Sequence, residues 1–209
     1  PDALWRGAGW PTHLDALREM HFPKSPERLA AARARLAFEE IFLDQLVFAY
    51  KRRSYSAHRG GLVFSAVGSR FLAFYEEHLP FELTGAQKRV LKEIRKDTAS
   101  GMHMNRLIQG DVGSGKTMVA FMALLMALDN GYQGCLMAPT EILAQQHFAS
   151  LSEFAAALNV RIALLTGSVK ASERKPILKD LASGELHLLV GTHALLEDPV
   201  QFKNLGLAI

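Results

Sequence analysis

Read for the spacing of its apolar and polar positions, the chain divides into stretches of different period. Residues 1–23 carry Pro11, Pro23 and scattered aromatics, and read as an irregular arm at the end of a preceding domain, with one short helical set around "HLDALREM". After "PKSPE", Ser25 suits an N-cap, Pro26 the first helical position and Glu27 the first turn. A long helix is predicted to follow. Leu29, Leu36, Leu43 and Tyr50 recur at sevens, with Ala32, Leu46 and Val47 beside them. Phe38, Ile41, Phe42 and Phe48 fall on other faces, which predicts a second half covered by protein on several sides. "HRGG" predicts a break, and residues 24–83 together read as a mostly helical linker.

From Thr84 onward short apolar runs alternate with helical stretches. Thr84 suits the N-cap of a helix over about 85–99, with Val90, Leu91 and Ile94 on its apolar side. "NRLIQG", "GCLMAP", "VRIALLTG", "LHLLVGT" and "LGLAI" predict short buried strands. Helices are predicted between them, from Lys116 to about Asn130, over about 140–157 and over about 172–183. Strand and helix alternating at this spacing predict a parallel sheet covered by helices on both faces, so residues 84–209 read as an α/β domain.

Composition changes this picture little. The 209 residues suffice for one good-sized domain or two small ones, and 49% hydrophobic against 22% charged is ordinary for a globular chain with a core. No apolar run reaches the length of a membrane span, so neither a transmembrane helix nor a membrane partner is expected. "PDALWRGAGWP" lacks the order of a signal peptide, and a first residue other than Met fits a cut within a longer chain. The single Cys135 excludes an internal disulfide, fits a reducing cytoplasm and reads as a buried strand thiol. Residues 1–104 carry 16 Lys and Arg against 12 Asp and Glu, whereas residues 105–209 carry 8 against 9. A mildly basic first half permits contact with phosphate backbones, although solvated helix faces would look the same.

The chemistry concentrates in Gly110-Asp111-Val112-Gly113-Ser114-Gly115-Lys116-Thr117, which satisfies G-x-x-x-x-G-K-[ST] in full. Gly113 and Gly115 let the chain wrap an anion closely, and the next helix adds its N-terminal amides. Lys116 would reach the β- and γ-phosphates of ATP, and Thr117 would offer its hydroxyl to Mg²⁺. A P-loop alone leaves kinases, GTPases, transporters and helicases open. No N-K-x-D or LSGGQ run occurs, and after residue 117 the only arginines are Arg161 and Arg174, too few for a kinase lid.

Four further segments resemble superfamily 2 helicases and translocases. "ELTGAQ" places Gln87 23 residues before Gly110 and resembles their upstream glutamine motif, where an amide pairs with the adenine edge. "APTEILAQQH" resembles motif Ia, "LLTGS" the T-x-G motif and "VGTHALL" motif Ib. By that resemblance Pro139, Thr140, Thr166, Gly167, Thr192 and His193 face DNA. The longer runs "LPFELTGAQKRVLKEI", "MNRLIQGDVGSGKT", "GTHALLEDPVQFKNLGLAI" and "RLAFEE" resemble the RecG family of bacterial branch-migration helicases, from about Leu14 to Ile209. The resemblance implies a RecA-like P-loop fold and ATP-driven fork reversal and Holliday-junction branch migration in DNA repair and recombination. It also implies a monomer at the bacterial nucleoid, gripping branched duplex DNA with a wedge domain and two motor lobes. This chain would supply the linker, residues 24–83, and most of the first lobe, residues 84–209.

Three alternatives stay open: a transcription-repair coupling translocase, which should lack "ARARLAFEE", a non-motor ATP-binding scaffold, and a P-loop small-molecule kinase. In the family, the strand at "KNLGLAI" continues into an acidic D-E-x-H box that holds metal and positions water. Asp111, Glu197 and Asp198 read as surface or structural carboxylates rather than substitutes, so this stretch by itself is expected to bind nucleotide without useful hydrolysis. The eight histidines and one cysteine show no zinc-ligand spacing.

Overall fold

Two helices account for the first part of the chain. Thr12 caps α1 (His13–His21), its hydroxyl accepting the Asp15 N–H at 3.2 Å. Ser25 caps the second helix by accepting the Arg28 N–H at 3.3 Å, and Pro26, which has no N–H to leave unpaired, opens α2 (Pro26–Ala57). The computed structural model describes residue 7, residues 9–57 and residues 60–209. The first two residues of "HRGG" and the start of the expected arm lie outside the described residues. Close contacts divide the chain into two units, Pro1–His58 and Arg59–Ile209.

In the first unit the helices form an antiparallel hairpin. His13, at the start of α1, contacts Glu39 at 2.8 Å, while Glu19, near its end, pairs with Arg28 at 3.1 Å. Ala16 and Ala32 are fully buried, small residues that let helices approach closely. Glu39 also accepts from Arg35 at 2.6 Å, and its His13 contact above all holds its carboxyl below the usual range. The second half of α2 differs from expectation: Ile41, Leu43, Leu46, Val47, Phe48 and Tyr50 are each more than half exposed.

In the second unit, residues 60–83 pack into the α/β core rather than standing apart as linker. Phe64, Phe74 and Leu83 are buried there with Leu91 and Ile94. Phe74 lies in a π-helical turn, Phe74–His78, that continues α3 (Ser69–Ala73). Its ring meets Phe121 and Phe154 edge-on at 5.1 and 5.3 Å, an arrangement aromatic quadrupoles favour. Asp129 fixes this segment from below, accepting backbone N–H bonds from Gly68, Arg70 and Phe71 at 3.0–3.1 Å.

Helix α4 (Gly85–Thr98) precedes the P-loop and α5 (Lys116–Asp129) follows it. Every residue of α5 from Val119 to Leu128 is buried, the signature of a helix apolar all round and enclosed on all sides. Then come β1 (Gln133–Met137), α6 (Glu141–Ala157), β2 (Ile162–Leu165), α7 (Ala171–Ser183), β3 (Leu188–Gly191), a 3₁₀ turn at His193–Leu196 and β4 (Leu205–Ala208). The strands form one parallel sheet in the order β2-β3-β1-β4, with Leu189 of β3 level with Cys135 and Ala163.

The run "NRLIQG" carries no strand, contrary to its pattern. An apolar extended segment becomes a strand only when a neighbour takes its N–H and C=O groups. Here Met104–Ile108 face β4 across a groove of about 540 Å³, also lined by Lys116, Thr117, Met137 and Ile209.

Candidate functional site

The site is built at one end of the sheet, because parallel strands release all their following loops at their carboxyl ends. Lys116 and Thr117 line the groove together with Met137 and Ile209, the last residue of β1 and the residue after β4. The P-loop and the strand-end loops therefore share an edge.

Within the P-loop, Gly113 and Gly115 have φ of +80° and +78°, in the left-handed region where glycine avoids the Cβ penalty. Gly115 is also the N-cap of α5 and supplies no side-chain acceptor. The Met118 N–H donates to the Gly115 carbonyl at 3.0 Å, which leaves the N–H groups of Lys116 and Thr117 at the helix start to meet an anion. A Cβ built on Gly115 would lie 2.5 Å from the Gln87 Nε2, so the tight turn and the glutamine fit only together.

Gln87 is the residue that joins the loop to the helix before it. Its Oε1 accepts from the Thr84 N–H at 2.8 Å while Thr84 Oγ1 accepts from the Gln87 N–H at 3.3 Å, a reciprocal capping box. Its Nε2 donates to the Ser114 carbonyl at 2.9 Å. Lys116 turns its ammonium onto its own loop, donating to the carbonyls of Gly110 and Asp111 at 2.7 Å each. Phosphate oxygens would be stronger acceptors than these two neutral carbonyls, so the lysine is held where an anion can recruit it. Gly110, Asp111, Val112, Gly113 and Ser114 are exposed, and Lys116 and Thr117 half-buried. An uncapped helix start, a glycine cradle and a poised ammonium fit a nucleotide polyphosphate. Among the described residues no three His, Cys, Asp or Glu side chains gather to hold a metal ion.

The strand-end loops divide by exposure. Pro139, Thr140, Gly167 and His193 are exposed, whereas Thr166 and Thr192 are buried, at 1% and 9%. Thr140 is the N-cap of α6 and accepts the Leu143 N–H at 3.3 Å. Thr166 exchanges a 2.9 Å hydrogen bond with Ser168. Glu141, which lies within the "APTEILAQQH" segment but carries no role in the sequence reading, accepts from Ser168 N at 3.2 Å and Ser168 Oγ at 2.8 Å. The signal available for it was an acid in the first turn of a capped helix, which by itself predicts only a dipole contact.

The remaining charged candidates are committed elsewhere. Arg161 pairs with Asp180 and, at 2.7 Å, with Glu185, and these carboxylates raise its pKa further. Arg174 pairs with Glu197. Cys135 is buried in β1, and burial pushes its thiol pKa up, away from reactivity. No helix among the described residues is long and apolar enough to cross a membrane.

The profile of the family described as DEAD/DEAH box helicase matches residues 84–209. The RecG protein of Bacillus subtilis, named an ATP-dependent DNA helicase, is 47% identical over 209 residues, covering all of this chain and 30% of the relative. The protein of the same name from Synechocystis is 46% identical over 194 residues, covering 93% of this chain and 23% of its own. That from Aquifex aeolicus is 42% identical over 215 residues, covering all of this chain and 27% of its own. A solved structure of RecG bound to a three-way DNA junction superposes with a TM-score of 0.76 at 44% identity, over 93% of this chain and 26% of that one. The chain spans less than a third of the length of these relatives.

Proposed function

This chain belongs to the DEAD/DEAH box helicase family, and from that premise we infer that it is the nucleotide-gripping part of an ATP-dependent DNA motor of the RecG kind. The motor would act on branched duplex DNA, at forks and Holliday junctions in the bacterial cytoplasm. The observation that carries this reading is the joint between Gln87 and the P-loop. One amide both completes the capping box of α4 and holds the Ser114 carbonyl, so a group suited to adenine is built into the anion cradle.

When bound, ATP with Mg²⁺ supplies the phosphoryl-transfer energy. The residues of this chain do the holding. The amides of the Gly110–Thr117 loop and the start of α5 would bind the phosphates, Lys116 would exchange its two loop carbonyls for phosphate oxygens, and Thr117 would offer a metal ligand. Gln87 would select adenine. Pro139, Thr140, Gly167 and His193, exposed where the sheet ends, would face the DNA backbone, while Thr166 and Thr192 would act from beneath, shaping those loops.

The test is Lys116→Ala in the full-length protein. Fork reversal should be lost while binding to forked DNA in a gel-shift assay stays within about twofold, because the ammonium serves nucleotide and not DNA. Undiminished fork reversal would sink the motor reading.

A further inference from the structure

We propose that Glu141 is a positioning residue that fastens the loop after β2 to the start of α6, so that two strand-end loops present one rigid rim to DNA. The proposal rests on the DNA-motor reading above. Glu141 is the first residue of α6, directly after the cap Thr140, and is half-buried. Its two carboxylate oxygens divide between two donors of a residue 27 positions away. One accepts the Ser168 N–H at 3.2 Å and the other the Ser168 hydroxyl at 2.8 Å.

Proton accounting extends the connection inward. A serine hydroxyl has one proton, and Ser168 gives it to Glu141, an acceptor with no proton of its own to offer. The 2.9 Å bond between Ser168 and Thr166 is then donated by Thr166. The Thr166 carbonyl closes the turn by accepting the Val169 N–H at 3.3 Å. Glu141, Ser168 and Thr166 thus form a directed chain whose protons all point toward the carboxylate. The buried Thr166 has no proton left for a phosphate in this arrangement, and with both Ser168 donors held by Glu141 the loop offers DNA its exposed backbone at Gly167.

A carboxylate beside a phosphate path would ordinarily repel DNA. Here its charge is offset by two donors and by the positive end of α6. A plain helix-dipole role would need neither Ser168 contact, whereas the bidentate grip on one distant residue couples the loops.

The experiment uses the full-length protein, with ATP turnover measured against forked-DNA concentration. Glu141→Ala and Ser168→Ala should each raise the half-saturating DNA concentration about five- to tenfold, with turnover at saturating DNA within about twofold of wild type. The double variant should be no worse than either single one. Glu141→Gln, which keeps an acceptor oxygen, should lose less than half as much. Amide hydrogen exchange at residues 166–169 should quicken in Glu141→Ala. Unchanged half-saturation in Ser168→Ala, or additive effects in the double variant, would overturn the proposal. So would tighter DNA binding in both Glu141 variants, which would mark the carboxylate as a repulsive charge. If wild-type protein shows no DNA-stimulated turnover, the motor reading falls, and hydrogen exchange still decides whether the coupling exists.

Discussion

Gln87 connects stability to nucleotide choice, so its replacement separates several effects at once. Gln87→Ala removes the bond accepted from Thr84 N at 2.8 Å and the bond donated to Ser114 O at 2.9 Å. A neutral hydrogen bond contributes about 0.5–1.5 kcal/mol net, so the two together are worth about 1–3 kcal/mol. Alanine recovers a few tenths through helix propensity, and the exposed Ser114 carbonyl can return to water. The expected loss is about 1–2 kcal/mol, a fall in Tm of roughly 2–8 °C for a unit of this size. Gln87→Glu divides the two roles. A glutamate still completes the capping box with Thr84, but it sets an acceptor against the Ser114 carbonyl where a donor stood. At this nearly buried position that repulsion adds to the lost bond, so its thermal loss should be at least as large as that of Gln87→Ala, and both variants should lose the preference for ATP over GTP. Urea unfolding followed by circular dichroism reads the first effect, and displacement of a fluorescent nucleotide reads the second. If Gln87→Ala melts within about 1 °C of wild type and both variants still prefer ATP, then neither the joint nor its adenine role is as described.

Asp129→Ala should destabilise the second unit by about 2–4 kcal/mol, because three backbone N–H groups of one turn lose a charged acceptor together, and Asp129→Asn should recover part of it. A urea midpoint unchanged in Asp129→Ala would refute that anchoring role. His187 is held below the ordinary histidine pKa by burial first and then by the charges of Arg70 and Arg161. The unfolded chain therefore takes the proton more readily than the folded one. The stability in question is full above the unfolded pKa of about 6.5 and is lost as pH falls through it toward the lower folded value. His187→Asn should flatten the decline in stability between about pH 7.5 and 5, and a decline as steep as in wild type would show that other groups set it.

What the sequence made legible is what lies within a few residues of itself. Ser25 and Thr84 cap the helices their neighbours imply, and Lys116 starts the helix that its glycine loop requires. Period identifies α5 and α6 to within a residue or two. The misreadings all concern partners remote in the chain. "NRLIQG" has a strand's composition, but pairing depends on a neighbour, and β4 faces it across a groove. Residues 60–83 resemble a linker until Phe64, Phe74 and Leu83 are seen to supply part of the α/β core. No local pattern announces that Asp129 will cap a turn some 60 residues upstream, or that Glu141 will take both donors of Ser168. Thr166 shows the same limit within a recognised motif. A hydroxyl at a strand end reads as a contact to DNA, because residue type suggests what a side chain can do. Direction is decided by the fold, and here the chain turns back at Thr166, whose hydroxyl pairs with that of Ser168. A threonine in that position serves the loop's shape first, and substituting it should disturb Gly167 and Ser168 before it removes any contact of its own.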